Sequence, residues 1–505
     1  MASSSKTADA ILLEKNRLLE FENERLHKRL QELVEELALL NGTQAPKQLT
    51  LEMEGLAAQV QSLQKQVFGD SSEKREYDKP PKETSTPRVA TGRTPQDRLP
   101  LVDTHVELAE NDRDCPNCSG TLEEMKGQTE DCEVIDVVQR KFLVRRIRRQ
   151  KYRCRCQQAI VVAPPSIMHI PHGRYTVDVG AHSFSQKYAW HEPLDRQRRS
   201  MKADGLVITS QTLWDQIDAI AHRLKPIYDC LREYILGADV IGVDETWWRL
   251  LDKKSRKRWW IWAMQSGDAV YFHAAPSRSA ETAMEVLGDY QGTVVCDAYK
   301  AYETAAKKRG LIKLALCWAH VRRKFVEAEP NYPQCATALD LIAQLYSIDR
   351  ETEDPTHLVG DPKLAAAETR KQARAERAPP ILKALKEWAL EQRGLPKSGL
   401  RKAIDYMLGH WESLSVFLVD PFVPLDNNAT ERAIRGIVVG RKNHYGSRSV
   451  RGTEVAAIAY SLVESAKLAG LDPRGYITAA VHGMCMGYAP ESLLPLRELW
   501  AEAQP

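Results

Sequence analysis

Leucines at 12, 19, 26, 33 and 40 recur every seven residues. With these at d positions, Asn16, Asn23, Leu30 and Leu37 fall at a. An asparagine at a costs stability but fixes register and strand number. Lys15 is placed to pair with Glu20 of a partner helix. A second apolar stripe follows at Met53, Leu56, Val60, Leu63 and Val67, in steps of three and four. Asn41-Gly42 and Pro46 separate the two stripes. Either these helices pack on the chain's own core or they self-associate. Their highly charged flanks favour a coiled coil over 1–69, and so a homo-oligomer, a dimer first. Residues 70–104 are rich in Pro, Lys, Thr and Ser, have no apolar period and read as a linker.

Further on, the pattern becomes that of short strands. The run ADVIGV (238–243) ends at Asp244, RWWIWAMQS and AVYFHAAPS follow, and SAETAMEVLGDY has a helical period. GTVVC then ends at Asp297, and LIKLALCWAH is a fifth strand candidate. Strand-strand-strand-helix-strand-helix-strand is the order of an α/β ribonuclease-H-like catalytic domain, predicted here over 237–450. In that order the ends of the first and fourth strands lie side by side, so Asp244 and Asp297 would share one site. Residues from about 330 to 410 are helix-rich and form an insertion, and 451–505 is a C-terminal helical region. Residues 161–236 also read as helices. Ala203-Asp204-Gly205, followed by a helix capped by Ser210, has a helix-turn-helix pattern and suggests a DNA-binding domain, although many helical hairpins share it.

At 505 residues the chain has room for three or four domains of about 150 residues. With 43% hydrophobic and 28% charged residues, wholesale disorder is excluded. Net charge is only +3, from 71 basic and 68 acidic residues, so attraction to a polyanion must be local. The densest basic run is Arg140, Lys141, Arg145, Arg146, Arg148, Arg149, Lys151 and Arg153. It is either a solvated face or a phosphate-contacting one. No apolar run is long enough to span a bilayer, and the N-terminus lacks the apolar stretch of a signal peptide, so a cytoplasmic location is expected.

Four of the ten cysteines form two close pairs, Cys115/Cys118 and Cys154/Cys156. Two thiolate pairs joined across paired strands supply four soft ligands for one tetrahedral Zn2+, giving a zinc-binding β segment over 105–160. The alternative is four buried free thiols. Cys132 lies within the loop as a bystander or a substitute ligand.

Two neighbouring carboxylates repel each other, and a bound cation reverses that cost. Oxygen-only ligands suit Mg2+ or Mn2+, and a third acid would complete a two-metal site. Asn427 or Asn428 could cap a helix carrying Glu431, with Arg432, Arg435, Arg441 and Lys442 close behind. An acid for metal bordered by bases for phosphate is what phosphoryl transfer on nucleic acid requires. A surface helix with i,i+4 ion pairs is the competing reading.

The motifs V-D-E-T-W-W around Asp244, C-D-A-Y around Asp297, C-W-A-H-V-R-R-K-F at 317–325, and L-D-N-N-x-x-E-R-A-I-R at 425–435 with a following G-R-K-N resemble the insertion-sequence-66 family of DDE transposases. So do Phe68-Gly69-Asp70-Ser71-Ser72-Glu73-Lys74, the two cysteine pairs, and Pro193-Leu194-Asp195-Arg196-Gln197, where Asp195 replaces a usual aromatic. SLVESAKLAGLDP (461–473) is also similar. The resemblance implies a catalytic triad of Asp244, Asp297 and Glu431. It implies Mg2+-dependent cleavage at transposon ends in a bacterial cell, with joining of the freed 3′ hydroxyls to target DNA and possible use of helper proteins. Cys317 and His320 form a C-x-x-H element that either supports the active site or packs structurally. Glu245 and Asp426 are the nearest rival acids; Glu245 would point away from Asp244 along a continuing strand. Arg145, Arg146, Arg148, Arg149, Lys151, Arg435, Arg441 and Lys442 are the candidate DNA contacts. A catalytically inactive, zinc-containing DNA-binding protein, repressor or accessory subunit, is the rival function. The presence of all three acids argues against it.

Overall fold

The computed structural model describes residues 142–149, 151–153, 160–162, 166–251, 258–310, 312–358, 360–392 and 396–500. The heptad leucines, the second stripe, the linker and Cys115, Cys118, Cys132, Cys154 and Cys156 lie outside the described residues. Strands β1 (Lys151–Arg153) and β2 (Ile160–Val162) pair antiparallel, Lys151 opposite Val162. Residues 142–149, expected in paired strands, have no regular secondary structure. Arg145, Arg146, Arg148 and Arg149 would crowd like charges along a ladder there.

Helices α1 (Val177–Tyr188), α2 (Leu194–Ala203) and α3 (Ser210–Leu236) follow. Thr209, not Ser210, caps α3. Its backbone is extended, and its side chain accepts the Thr212 N–H at 3.0 Å. Leu213, Ile217, Ile220, Leu224, Ile227, Leu231 and Ile235 recur at three- and four-residue steps on α3 and are all buried. A single cluster of buried apolar side chains runs from Val177 to Leu496, with no break near 236 or 450.

The sheet comprises β3 (Val240–Arg249), β4 (Arg258–Ser266), β5 (Ala269–Ala275), β6 (Thr293–Cys296) and β7 (Lys313–Leu316). Helix α4 (Ala280–Leu287) joins β5 to β6, and α5 (Lys300–Arg309) joins β6 to β7. The strand order is β5-β4-β3-β6-β7, with β3, β4 and β5 antiparallel and β3, β6 and β7 parallel. Strand β3 runs past Asp244 to Arg249 because β4 pairs with it along that length, down to Arg249 opposite Arg258. The fifth strand is shorter than its apolar run. It ends at Leu316, and Trp318–Ala328 forms helix α6 instead. Trp318 is the reason: its backbone N–H bonds Leu425 O at 2.9 Å and its buried indole N–H bonds Leu414 O at 2.8 Å.

Helices α7 (Cys335–Arg350), α8 (Gly360–Glu391) and α9 (Gly399–Gly409) make the inserted helical block. After α10 (Trp411–Leu414) come α11 (Asn428–His444), α12 (Val450–Leu468), α13 (Pro473–Met486) and α14 (Arg497–Trp500). Helix α12 is buried on nearly every side. It covers the sheet edge at β5 and satisfies part of that edge. Ser465 Oγ accepts the Val270 N–H at 2.9 Å and donates to Val270 O at 3.0 Å, and Ser461 Oγ accepts the Phe272 N–H at 2.8 Å. An uncovered edge would leave those groups open to another chain. Among the described residues no helix is long and apolar enough to cross a membrane.

Candidate active site

The parallel pairing of β3, β6 and β7 stops at one level, and the residues just beyond it carry the candidate chemistry. The last β3–β6 pair is Gly242 opposite Val295. Two residues further along each strand stand Asp244 and Asp297, which strand alternation places on one side. The last β6–β7 pair is Cys296 opposite Leu316, so Asp297 and Cys317 come next. Cys317 donates its backbone N–H to Cys296 O at 3.2 Å.

Helix α11 brings Glu431 to this edge in its first turn. Its seat is glycine-dependent. A Cβ at Gly242 would lie 2.1 Å from Thr430 Oγ1 and 2.7 Å from Asn427 Oδ1. Only a residue without a side chain lets the helix start come this close to β3. The buried Asn427 locks the arrangement, its Nδ2 donating to Val243 O at 2.8 Å and its backbone N–H to Cys317 Sγ at 3.3 Å. Neither asparagine caps α11 with its side chain. Asp426 accepts both the backbone N–H of Asn428, at 3.0 Å, and its Nδ2, at 2.7 Å.

Asp244 and Glu245 feel their surroundings most. Burial pushes the Asp244 carboxyl up to about 7, and the charges of Glu245, Asp297 and Glu431 push the same way. The Glu245 N–H, donating to Asp244 Oδ1 at 2.8 Å, opposes them. Asp297 Oδ1 accepts the Tyr299 N–H at 3.0 Å. Glu245 turns to other partners, accepting from Tyr302 Oη at 2.6 Å with Arg278 Nη2 3.6 Å away. Its side chain is only 5% exposed, and burial holds its carboxyl up at about 7, with Asp297 adding repulsion. Arg278 is itself stacked on Tyr299, 3.9 Å from the ring centre. Glu245 is thus a fourth acid of the neighbourhood. Its position straight after Asp244 was the available signal.

His320 lies in the first turn of α6 with Nε2 4.0 Å from Glu431 Oε1. One donor atom each from Cys317, His320 and Glu431 lie within 4.8 Å of one another.

The basic residues divide. Arg435 and Lys442 are exposed on α11, and Arg145, Arg146, Arg148, Arg149 and Lys151 are exposed near β1. Arg441 differs from the expectation: it is 9% exposed and turned inward. Its guanidinium bonds Thr246 Oγ1 at 3.1 Å and the Trp247 carbonyl, and lies 3.8 Å from the Trp247 ring centre. The electron-rich indole face and the carbonyl at the end of β3 hold this cation.

Comparison with known proteins agrees with these motifs. Residues 172–455 match the model of the Transposase IS66 family, and residues 112–157 match the zinc-finger binding domain of transposase IS66. The second range contains both cysteine pairs, which supports a structural zinc in that segment. The uncharacterized protein y4jD of Sinorhizobium fredii is 33% identical over 422 residues, covering 79% of this chain and 80% of that protein. From the same organism, y4hP is 28% identical over 391 residues, 72% of this chain and 69% of its own length. With the first family model spanning more than half its length, the chain belongs to the IS66 transposase family.

Proposed function

We propose that this chain is a DNA transposase that cuts at the ends of its element, frees 3′ hydroxyls and joins them to target DNA, with Asp244, Asp297 and Glu431 as its catalytic acids. The observation that supports it most is the crowding at Asp244, a half-buried carboxyl raised first by burial and further by the charges of Asp297, just past β6, and Glu431, in the first turn of α11. Such a cluster costs free energy in a metal-free protein, and a divalent cation converts the cost into binding. The donors are all oxygen, which fits Mg2+ or Mn2+. Bound there, the ions would supply Lewis-acid stabilisation of both the entering and the leaving oxygen.

The chain's own residues do the rest. Asp244 within β3 and Asp297 just past β6 hold the metal-facing positions, and Glu431 closes the third side from α11. Arg435 and Lys442 on the same helix neutralise phosphates of the incoming strand. Arg145, Arg146, Arg148, Arg149 and Lys151 extend that contact along the duplex. In the first step water attacks the phosphorus, the P–O3′ bond breaks and the 3′ oxygen leaves with a proton. In the second, the freed 3′ hydroxyl loses its proton as it attacks a target phosphorus, and one P–O bond replaces another. No outside energy source is needed.

The strand order, with its antiparallel half and parallel half, supports reading the catalytic domain as ribonuclease-H-like. Cys115, Cys118, Cys154 and Cys156 are proposed as the structural zinc ligands, and the heptad region 1–69 as a dimerising coiled coil that holds two DNA ends together. The test is a cleavage and joining assay with Mg2+ or Mn2+ on a duplex carrying the element's ends. Wild-type protein should cut and join while Glu431→Gln binds without cutting. Equal cutting by both would remove Glu431 from the site.

A further inference from the structure

We propose that Cys317, His320 and Glu431 form a second metal site, which takes one thiophilic divalent ion of the zinc class. Three elements supply the donors: Cys317 at the junction of β7 and α6, His320 one turn along α6, and Glu431 at the start of α11. Residues three apart at a helix start share a face, so the sulfur and the imidazole turn the same way. Their donor atoms and the Glu431 carboxylate already lie within 4.8 Å of one another. A tetrahedral zinc ion needs donors ~3.3–3.5 Å apart, which small side-chain rotations reach.

Two further observations point to an ion. His320 has no other commitment. Nδ1 is buried without a hydrogen-bond partner, and Nε2 stands 4.0 Å from Glu431 Oε1, beyond hydrogen-bond reach. A buried ring nitrogen left unsatisfied beside a thiol and a carboxylate is poorly explained by packing alone. The sulfur, in turn, accepts the Asn427 N–H at 3.3 Å. Such outer-shell bonds orient a ligating sulfur and stabilise its anionic form.

The donor chemistry separates this set from the all-oxygen set. Sulfur and imidazole select zinc over magnesium. Three protein ligands leave the fourth position open to water or an incoming oxygen. Glu431 belongs to both sets, so an ion held by Cys317 and His320 draws on the carboxylate proposed for catalysis. The site does not depend on that role, and it stands whether or not the chain cuts DNA.

The experiment loads the full-length protein with Zn2+, dialyses it, and counts zinc per chain by mass spectrometry in wild type, Cys317→Ser and His320→Gln. Each variant should hold one zinc fewer than wild type, the zinc-finger segment keeping its own ion. With Co2+ in place of zinc, Cys317→Ser should lose part of the thiolate-to-metal charge-transfer absorption. Circular dichroism checks folding. If Cys317→Ser fails to fold, His320→Gln decides alone, because its ring is partly exposed. Equal zinc content in wild type and the folded variants would overturn the site. Loss of cleavage bears only on the transposase reading.

Discussion

Buried charge is handled in opposite ways in two regions of this molecule. Within the inserted helices, Arg374 is fully buried and fully answered. Its Nε and Nη2 grip both oxygens of Asp349 at 2.8 and 2.7 Å, while Nη1 donates to the carbonyls of Phe417, Asp420 and Val423 at 2.9–3.1 Å. Where the parallel pairing stops, Asp244 is half-buried near like charges, and burial first, then those charges, drive its carboxyl up to about 7. A burial cost met by partners inside the chain belongs to the fold. One left open belongs to whatever the chain binds.

The largest effect that sharpens this contrast is expected at Arg374. Arg374→Ala strands Asp349 and three carbonyls, and should cost about 3–5 kcal/mol of stability. The guanidinium ties α8 to the loop that leads into Leu425 and α11, so the loss should also loosen the seat of Glu431. Urea unfolding measures it, and a loss under about 1 kcal/mol would show that the pair is ornamental.

The mirror experiment is Asp244→Asn. The amide oxygen can still accept the Glu245 N–H, while the buried like charge is gone. Metal-free protein should gain stability, on the order of 2 kcal/mol, less than the shift alone implies because solvent screens part of it. Cleavage should vanish. Thermal melting with and without Mg2+ checks both halves: wild type should rise on adding the ion, and the variant should not. A variant less stable than wild type without metal would break the comparison.

The two regions are also unequally legible in the sequence. Asp244 and Asp297 each close a short apolar run, and the run together with its motif is enough to mark them. That Gly242 and Asn427 fix the seat of α11 is not legible, because it depends on an approach between segments far apart in sequence. Arg374 escapes a sequence reading, although Arg370, Arg374, Ala378 and Leu382 lie on one buried stripe of α8. An arginine in an apolar stripe is the signal, hidden in a stretch crowded with Lys, Arg and Glu. Arg441 misleads in the other direction. Grouped by sequence with exposed bases, it turns inward to Trp247, a partner that only the extension of β3 past Asp244 makes available.

A third way of burying a titratable group gives the smallest and most graded test. His444 is held neutral: burial first, then the nearby Lys187 cation, push its pKa down to about 3, and His191 opposes a second charge beside it. Its Nε2 lies 3.2 Å from Tyr460 Oη and its Nδ1 3.3 Å from Gly446 O. His191, whose ring lies 6.2 Å from that of Tyr460, is lowered to about 4, again chiefly by burial. In the unfolded chain both rings gain a proton near 6.5, and the folded chain refuses it. Their contribution is therefore complete above about pH 6.5 and is lost as pH falls from there toward 4 and 3. Each ring adds at most about 1.4 kcal/mol per pH unit to that slope. His444→Phe keeps the ring against Trp248, gives up the Tyr460 contact and removes one of the two protons. It should be slightly less stable at about pH 7.5 and flatter in its decline between about pH 6.5 and 4.5. An unchanged slope in the variant would mean that solvent reaches His444 in the folded protein, and that this histidine is not a buried group at all.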